Sequence, residues 1–195
     1  MKKALLASIV WAFAVVVTVS AAHAHEEGLD GKKILLKDNG KKAKINFLAK
    51  GSGIEGLTQE QLDSSPGAAI LELCGANGQF GVVVLPYDNW KVNKKGLMKY
   101  KEKGNTAGIK VITLKPGKTL KIVGKTSVLS MASTLGGVSV RLDLNGEDKM
   151  CTYFDATSVK KDDPGKFKAK GGTAPADCAD ATLKCGSPSG AFLDS

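Results

Sequence analysis

The sequence predicts an all-β protein in which a signal peptide precedes two tandem antiparallel β-sandwich-like units. Three observations lead there. Residues 31–51, GKKILLKDNGKKAKINFLAKG, are echoed by residues 108–126, GIKVITLKPGKTLKIVGKT. Each segment has a Lys-rich apolar run, a turn carrying Gly40 or Gly117, then Gly-Lys-x-x-Lys-Ile. Self-similarity at a fixed period is the mark of a repeated structural unit. Second, Lys42-Ala43-Lys44-Ile45-Asn46-Phe47 and Ser139-Val140-Arg141-Leu142-Asp143-Leu144 alternate polar and apolar residues. Successive side chains of a strand point to opposite faces, so strict alternation describes a strand with one face buried. Third, turn signals separate short apolar runs: Asp38-Asn39-Gly40, Pro116-Gly117, Asn145-Gly146 and Pro164-Gly165.

In chain order, Lys2 and Lys3 precede an apolar run over 4–19, and Ala22-His23-Ala24 fits an A-x-A cleavage site. Residues 1–24 therefore read as a secretory signal peptide. Its removal leaves 171 residues with 26 basic against 19 acidic side chains, and no later apolar run long enough to span a bilayer. The first unit covers 25–103. Within it 57–64, LTQEQLDS, is the only helical-looking segment, with Thr58 as its N-cap. Residues 104–108, GNTAG, form a flexible linker, and the second unit covers 109–170. The segments 89–103 and 156–170 align at an offset of 67, whereas the first anchors lie 77 apart, so the second unit is shorter in its middle. About six short strands per unit suit an antiparallel sandwich, and the linker favours two small packed domains. A tail over 171–195, rich in Gly, Ala, Pro and Ser, lacks alternation.

All four cysteines, Cys74, Cys151, Cys178 and Cys185, follow the signal peptide. An even number in an exported chain implies two disulfides with three possible connectivities. The preferred pairing is Cys151 with Cys178, clamping the tail to the second unit, which leaves Cys74 with Cys185. No Cys-x-x-Cys spacing or neighbouring histidine supports a zinc site.

The runs WKV…KYK over 90–101, IKVITLKPGK over 109–118, CTYF…VKKDDPGKFKAK over 151–170 and APADC over 174–178 resemble a group of secreted bacterial β-repeat proteins of deltaproteobacterial type. No activity is known for that group. The resemblance implies an exported β fold and adds support to the Cys151–Cys178 pairing; it implies no catalytic residues.

Residue chemistry excludes more than it nominates. The only histidines, His23 and His25, flank the cleavage site, so nothing later in the chain can supply imidazole acid–base chemistry or a His-based triad. The Gly-Lys-Thr triplets at Gly117 and Gly124 lack the phosphate-loop spacing. The oxygen-rich stretch 143–148, DLNGED, lacks the Ca²⁺-loop pattern and reads as a hairpin turn. Asp162 and Asp163 read as solvated turn charges.

Two binding features remain. Lys99-Tyr100-Lys101 and Lys166-Phe167-Lys168 would form a basic, stacking surface for anionic envelope polymers, or else are strands with buried aromatics and solvated lysines. Arg141 is the only arginine, which disfavours bidentate base or phosphate reading and so sequence-specific nucleic-acid binding. Cleavage after Ala24 would expose the amine and imidazole of His25 as Cu(II) ligands, and cleavage after Ala22 would expose His23-Ala24-His25, whose third-position His25 would bind Cu(II) with the amine and amide nitrogens.

The expectation is an exported, non-catalytic envelope or extracellular β module, periplasmic or secreted, with weak Lys-mediated contact to anionic surfaces. A periplasmic copper-binding protein using His25 is the alternative, and no cofactor is otherwise expected.

Overall fold

The computed structural model describes residues 25–65, 67–103, 108–126, 131–146 and 148–178. The chain is an all-β sandwich of two antiparallel-rich sheets. Among the described residues, thirteen strands and one short α-helix follow in order, with a 3-10 turn at Tyr87–Asn89: β1 (His25–Gly28), β2 (Asp30–Asp38), β3 (Ala43–Lys50), α1 (Gln59–Ser64), β4 (Ala68–Gly75), β5 (Phe80–Pro86), β6 (Trp90–Val92), β7 (Met98–Lys101), β8 (Val111–Lys115), β9 (Thr119–Thr126), β10 (Val138–Asp143), β11 (Asp148–Phe154), β12 (Val159–Asp163) and β13 (Lys166–Ala169). Residues 1–24, where a signal peptide is expected, and Cys185 lie outside the described residues.

The strands take the phase their sequence dictates. Ala43, Ile45, Phe47 and Ala49 of β3 are buried, and the residues between them face outward. Val140 and Leu142 do the same on β10. Gly40 and Gly146 close their hairpins at φ of 80° and 83°, where a side chain would be strained. The helix starts as read: the Thr58 hydroxyl accepts from the Gln61 N–H and the Gln61 side chain accepts from the Thr58 N–H, a capping box.

One sheet has the order β1-β11-β10-β4-β5, and the other β12-β13-β2-β3-β9-β8-β7-β6. Strands from 25–103 and 109–170 therefore interleave in both sheets. The two units share their sheets where the linker had suggested two small packed domains. The β6–β7 hairpin continues the sheet through β8, and β12–β13 reaches back to β2. Exchange β2 to β7 for β8 to β13 and, apart from the added β1, each strand order reads the same backwards. The β3–β9 register obeys the same exchange, pairing Ile45 with Gly124 and Phe47 with Ile122 about a centre at Asn46 and Val123. The β2–β3 turn has four residues between paired positions and the β8–β9 turn three, so the strands before the turns depart by one from the offset of 77.

The physical reason for sharing is burial. A unit of about 70 residues holds too little apolar surface for an independent core. Here a single cluster joins Ile34, Leu36 and Leu73 of the first unit to Ile122, Val140 and Phe167 of the second. Phe47 of one sheet meets Phe154 of the other edge-on, with centroids 6.3 Å apart. Gly31 and Gly172 flank the Phe154 ring so closely that a Cβ on Gly31 would lie 2.6 Å from it. The polar strand β1 is an addition that alternation did not reveal; it runs parallel to β11 and makes an edge of the five-stranded sheet.

Candidate functional site

Alternation turns every second residue of the eight-stranded sheet to its outer face, and there the polar phase is largely lysine. Cross-strand register then sorts these lysines into rows. Lys166 pairs with Lys37, Lys37 with Lys44, and Lys44 with Lys125. Four exposed lysines thus stand directly side by side across β13, β2, β3 and β9. The neighbouring rows are interrupted: one runs Lys168, Leu35, Asn46, Val123, Val111, Lys101, and another Lys33, Leu48, Lys121, Thr113, Lys99, Lys91. Like charges directly opposite in a sheet are destabilising, so an unbroken row works against stability.

Carboxylates lie at the margins. Asp163, opposite Lys166 at the β12 end of the row, is paired with Lys161 at 2.5 Å. Asp30 pairs with Lys32 at 3.5 Å at the far end of β2. Asp38 turns away from the row and accepts from the Gly40 and Met131 N–H groups. Two adjoining hollows open on the row. One, of about 470 Å³, is lined by Lys37, Asn39, Lys41, Lys42, Lys44 and Lys125. The other, of about 510 Å³, shares Lys42, Lys44 and Lys125 and adds Lys110 and Glu102.

The two Lys-aromatic-Lys triplets fall on this same sheet, with β2, β3, β9 and β8 between them. Lys99, Lys101, Lys166 and Lys168 face outward, but Tyr100 and Phe167 are fully buried and cannot stack on a ligand. The Tyr100 ring packs on Trp90 at 5.3 Å, and burial is the main cause that pushes its phenol above the ordinary value. The aromatic halves of the stacking surface are thereby corrected to core residues. Lys37, Lys44 and Lys125 were not singled out by sequence reasoning, because their proximity arises only from pairing of strands distant in sequence. The available signal was lysine recurring at the outward phase of β2, β3 and β9.

On the other sheet, Arg141 pairs with Glu72 at 2.5 Å, so the one arginine is remote from the lysine row. Cys151 and Cys178 are disulfide-bonded with Cα atoms 5.5 Å apart. The junction is reinforced by Glu26, whose carboxylate accepts from the Cys178 N–H at 2.9 Å and pairs with Lys149 at 3.3 Å. Cys74 is also disulfide-bonded; its expected partner, Cys185, is outside the described residues. His25 opens β1 opposite Asp148. His23 is outside the described residues, and among these no cluster of three His, Cys, Asp or Glu side chains could hold a metal ion.

Asp162 is a second correction. It is half-buried, not a solvated turn charge, and its carboxylate accepts from the Leu135 and Gly136 N–H groups at 2.8 and 2.7 Å. Between β10 and β11, Asp143 accepts from Gly146 N–H and Asn145 from Asp148 N–H, hydrogen bonds of a hairpin connection. Gly124 lies within β9, where a Cβ would come 2.7 Å from the Gly108 carbonyl, so its glycine answers a close backbone approach.

Set against known proteins, the chain finds no matching family model, curated protein or solved structure.

Proposed function

We propose that the protein is an exported, non-catalytic β module that holds an anionic polymer on the outer face of its eight-stranded sheet. The unbroken row Lys166, Lys37, Lys44, Lys125 carries this reading. Such a row opposes folding through mutual repulsion, and a bound polyanion relieves it. Lysine is a compact, strongly hydrated point charge that does not make the bidentate fork of arginine, so the contact is loose and screened by salt. The leader at 1–24 and the disulfide Cys151–Cys178 support an exported, oxidising setting. With both aromatics of the Lys-flanked triplets in the core, the face offers charge without a base-stacking platform at those positions.

Chromatography of the purified mature chain on immobilised heparin tests the reading. Retention at low salt that disappears at moderate salt is expected, because surface charge pairs are screened within about 10 Å at 0.1 M ionic strength. A chain that flows through at low salt would sink the proposal.

A further inference from the structure

We propose that the Lys166, Lys37, Lys44, Lys125 row seats a linear acidic polysaccharide bearing one carboxylate on every sugar, laid across the strands. This inference rests on the polyanion reading above and adds ligand class and direction to it.

Direction follows from register. Neighbouring strands are spaced by about 4.8 Å, so a ligand running along the row meets a cation at each step and four over roughly 14 Å. A ligand running along β2, β3 or β9 meets no such series, and successive outward lysines within one strand, Lys166 and Lys168 of β13 or Lys99 and Lys101 of β7, stop at two. From Lys37 the next outward residue is Leu35, from Lys44 it is Asn46, and from Lys125 it is Val123. The unbroken cation series therefore lies perpendicular to the strands, and the matching ligand carries an anion about every 5 Å.

Chemistry narrows the class. Leu35 and Val123, half-buried beside the row, give the C–H faces of a sugar an apolar ledge. The hollows at Lys42, Lys44 and Lys125 make the surface concave there. Duplex DNA presents one charge per about 1.7 Å of axis, far denser than this row. Single-stranded nucleic acid is held by exposed aromatics, and Tyr100 and Phe167 are enclosed. The sole arginine is engaged with Glu72 on the other sheet.

The experiment measures binding of the disulfide-intact mature chain at low salt to polygalacturonate, with a carboxylate on each sugar, to hyaluronan, with one on every second sugar, and to a single-stranded DNA oligomer. Polygalacturonate is expected to bind tightest. The triple variant Lys37→Gln, Lys44→Gln, Lys125→Gln should lose about tenfold in affinity and show a shallower salt dependence. Its melting temperature should be unchanged or higher, since the substituted side chains are exposed and repel one another. The control Lys91→Gln, Lys115→Gln, Lys121→Gln makes the same charge change on the same face outside the row and should retain most of the affinity. Equal losses in the two triples would overturn the row while leaving a diffuse lysine face. Tighter binding of the DNA, or of hyaluronan, would overturn the polysaccharide assignment. Failure of all three probes to bind would overturn the polyanion reading as well.

Discussion

At the scale of single residues, the same local pattern supports opposite roles until burial is known. Lys-aromatic-Lys admits a stacking surface as well as a strand crossing between core and solvent; the complete enclosure of Tyr100 and Phe167 puts both aromatics in the core. Asp162 shows the converse. Its sequence neighbourhood, KKDDPG, is that of a solvated turn, yet its carboxylate receives the consecutive N–H groups of Leu135 and Gly136, 27 and 26 residues away. Replacing Asp162 by Ala leaves both donors without their acceptor, at a cost of about 1–3 kcal/mol for buried groups, reduced where water reaches them. Urea denaturation should show a lower midpoint for Asp162→Ala, whereas Asp163→Ala, whose residue is exposed and pairs with Lys161 across water-accessible side chains, should stay within about 0.5 kcal/mol of the parent. Equal stability of the two variants would contradict the clamp.

At the scale of elements, the four sheet edges are unequal. Edge strands with unpaired N–H and C=O groups are prone to join other chains unless charge or irregularity protects them. β1 carries Glu26 and Glu27, β6 carries Lys91, and β12 carries Lys160, Lys161 and Asp163. The fourth edge, β5, reads FGVVVLP and has no charge. Phe80 and Val84 on it, with Ile70 on adjacent β4, are the exposed large apolar residues of the described chain, Val84 at 57%. Val84→Lys should therefore suppress aggregation on heating, seen by light scattering, with little change in melting temperature. Unaltered scattering would show that β5 is not the route of association. The Cys151–Cys178 bridge acts at the same scale, holding the chain after β13 to β11. By loop-closure entropy alone its 27-residue separation corresponds to about 3.5 kcal/mol.

At the scale of the whole molecule, the interleaved strand order makes each half depend on the other. β2 has β13 on one side, and β3 has β9; β4 has β10 as a neighbour. Residues 25–103 expressed alone would leave these edges open and expose the apolar faces of Ile34, Ile45 and Leu71. That fragment should be unfolded by circular dichroism, as should 109–178, and co-expression of the two should recover a β spectrum. Independent folding of either fragment would contradict the shared core. The lysine row belongs to this scale too. Lys44 and Lys125 are 81 positions apart and Lys37 and Lys166 are 129 apart, so only the assembled sheet makes them neighbours.

What the sequence determined by itself was local: β class, the phase of each strand, the turns at Gly40, Gly117, Gly146 and Gly165, and the capped helix at Thr58. These follow from side-chain alternation, positive-φ glycines and short-range hydrogen bonds, all of which act over a few residues. The tertiary structure decided which strands pair. Alternation specifies a buried face but not the strand beside it, and hairpin turns fix register only between consecutive strands. Burial of one common core settled the rest, threading the two units through shared sheets and bringing four lysines from distant strands into a single row.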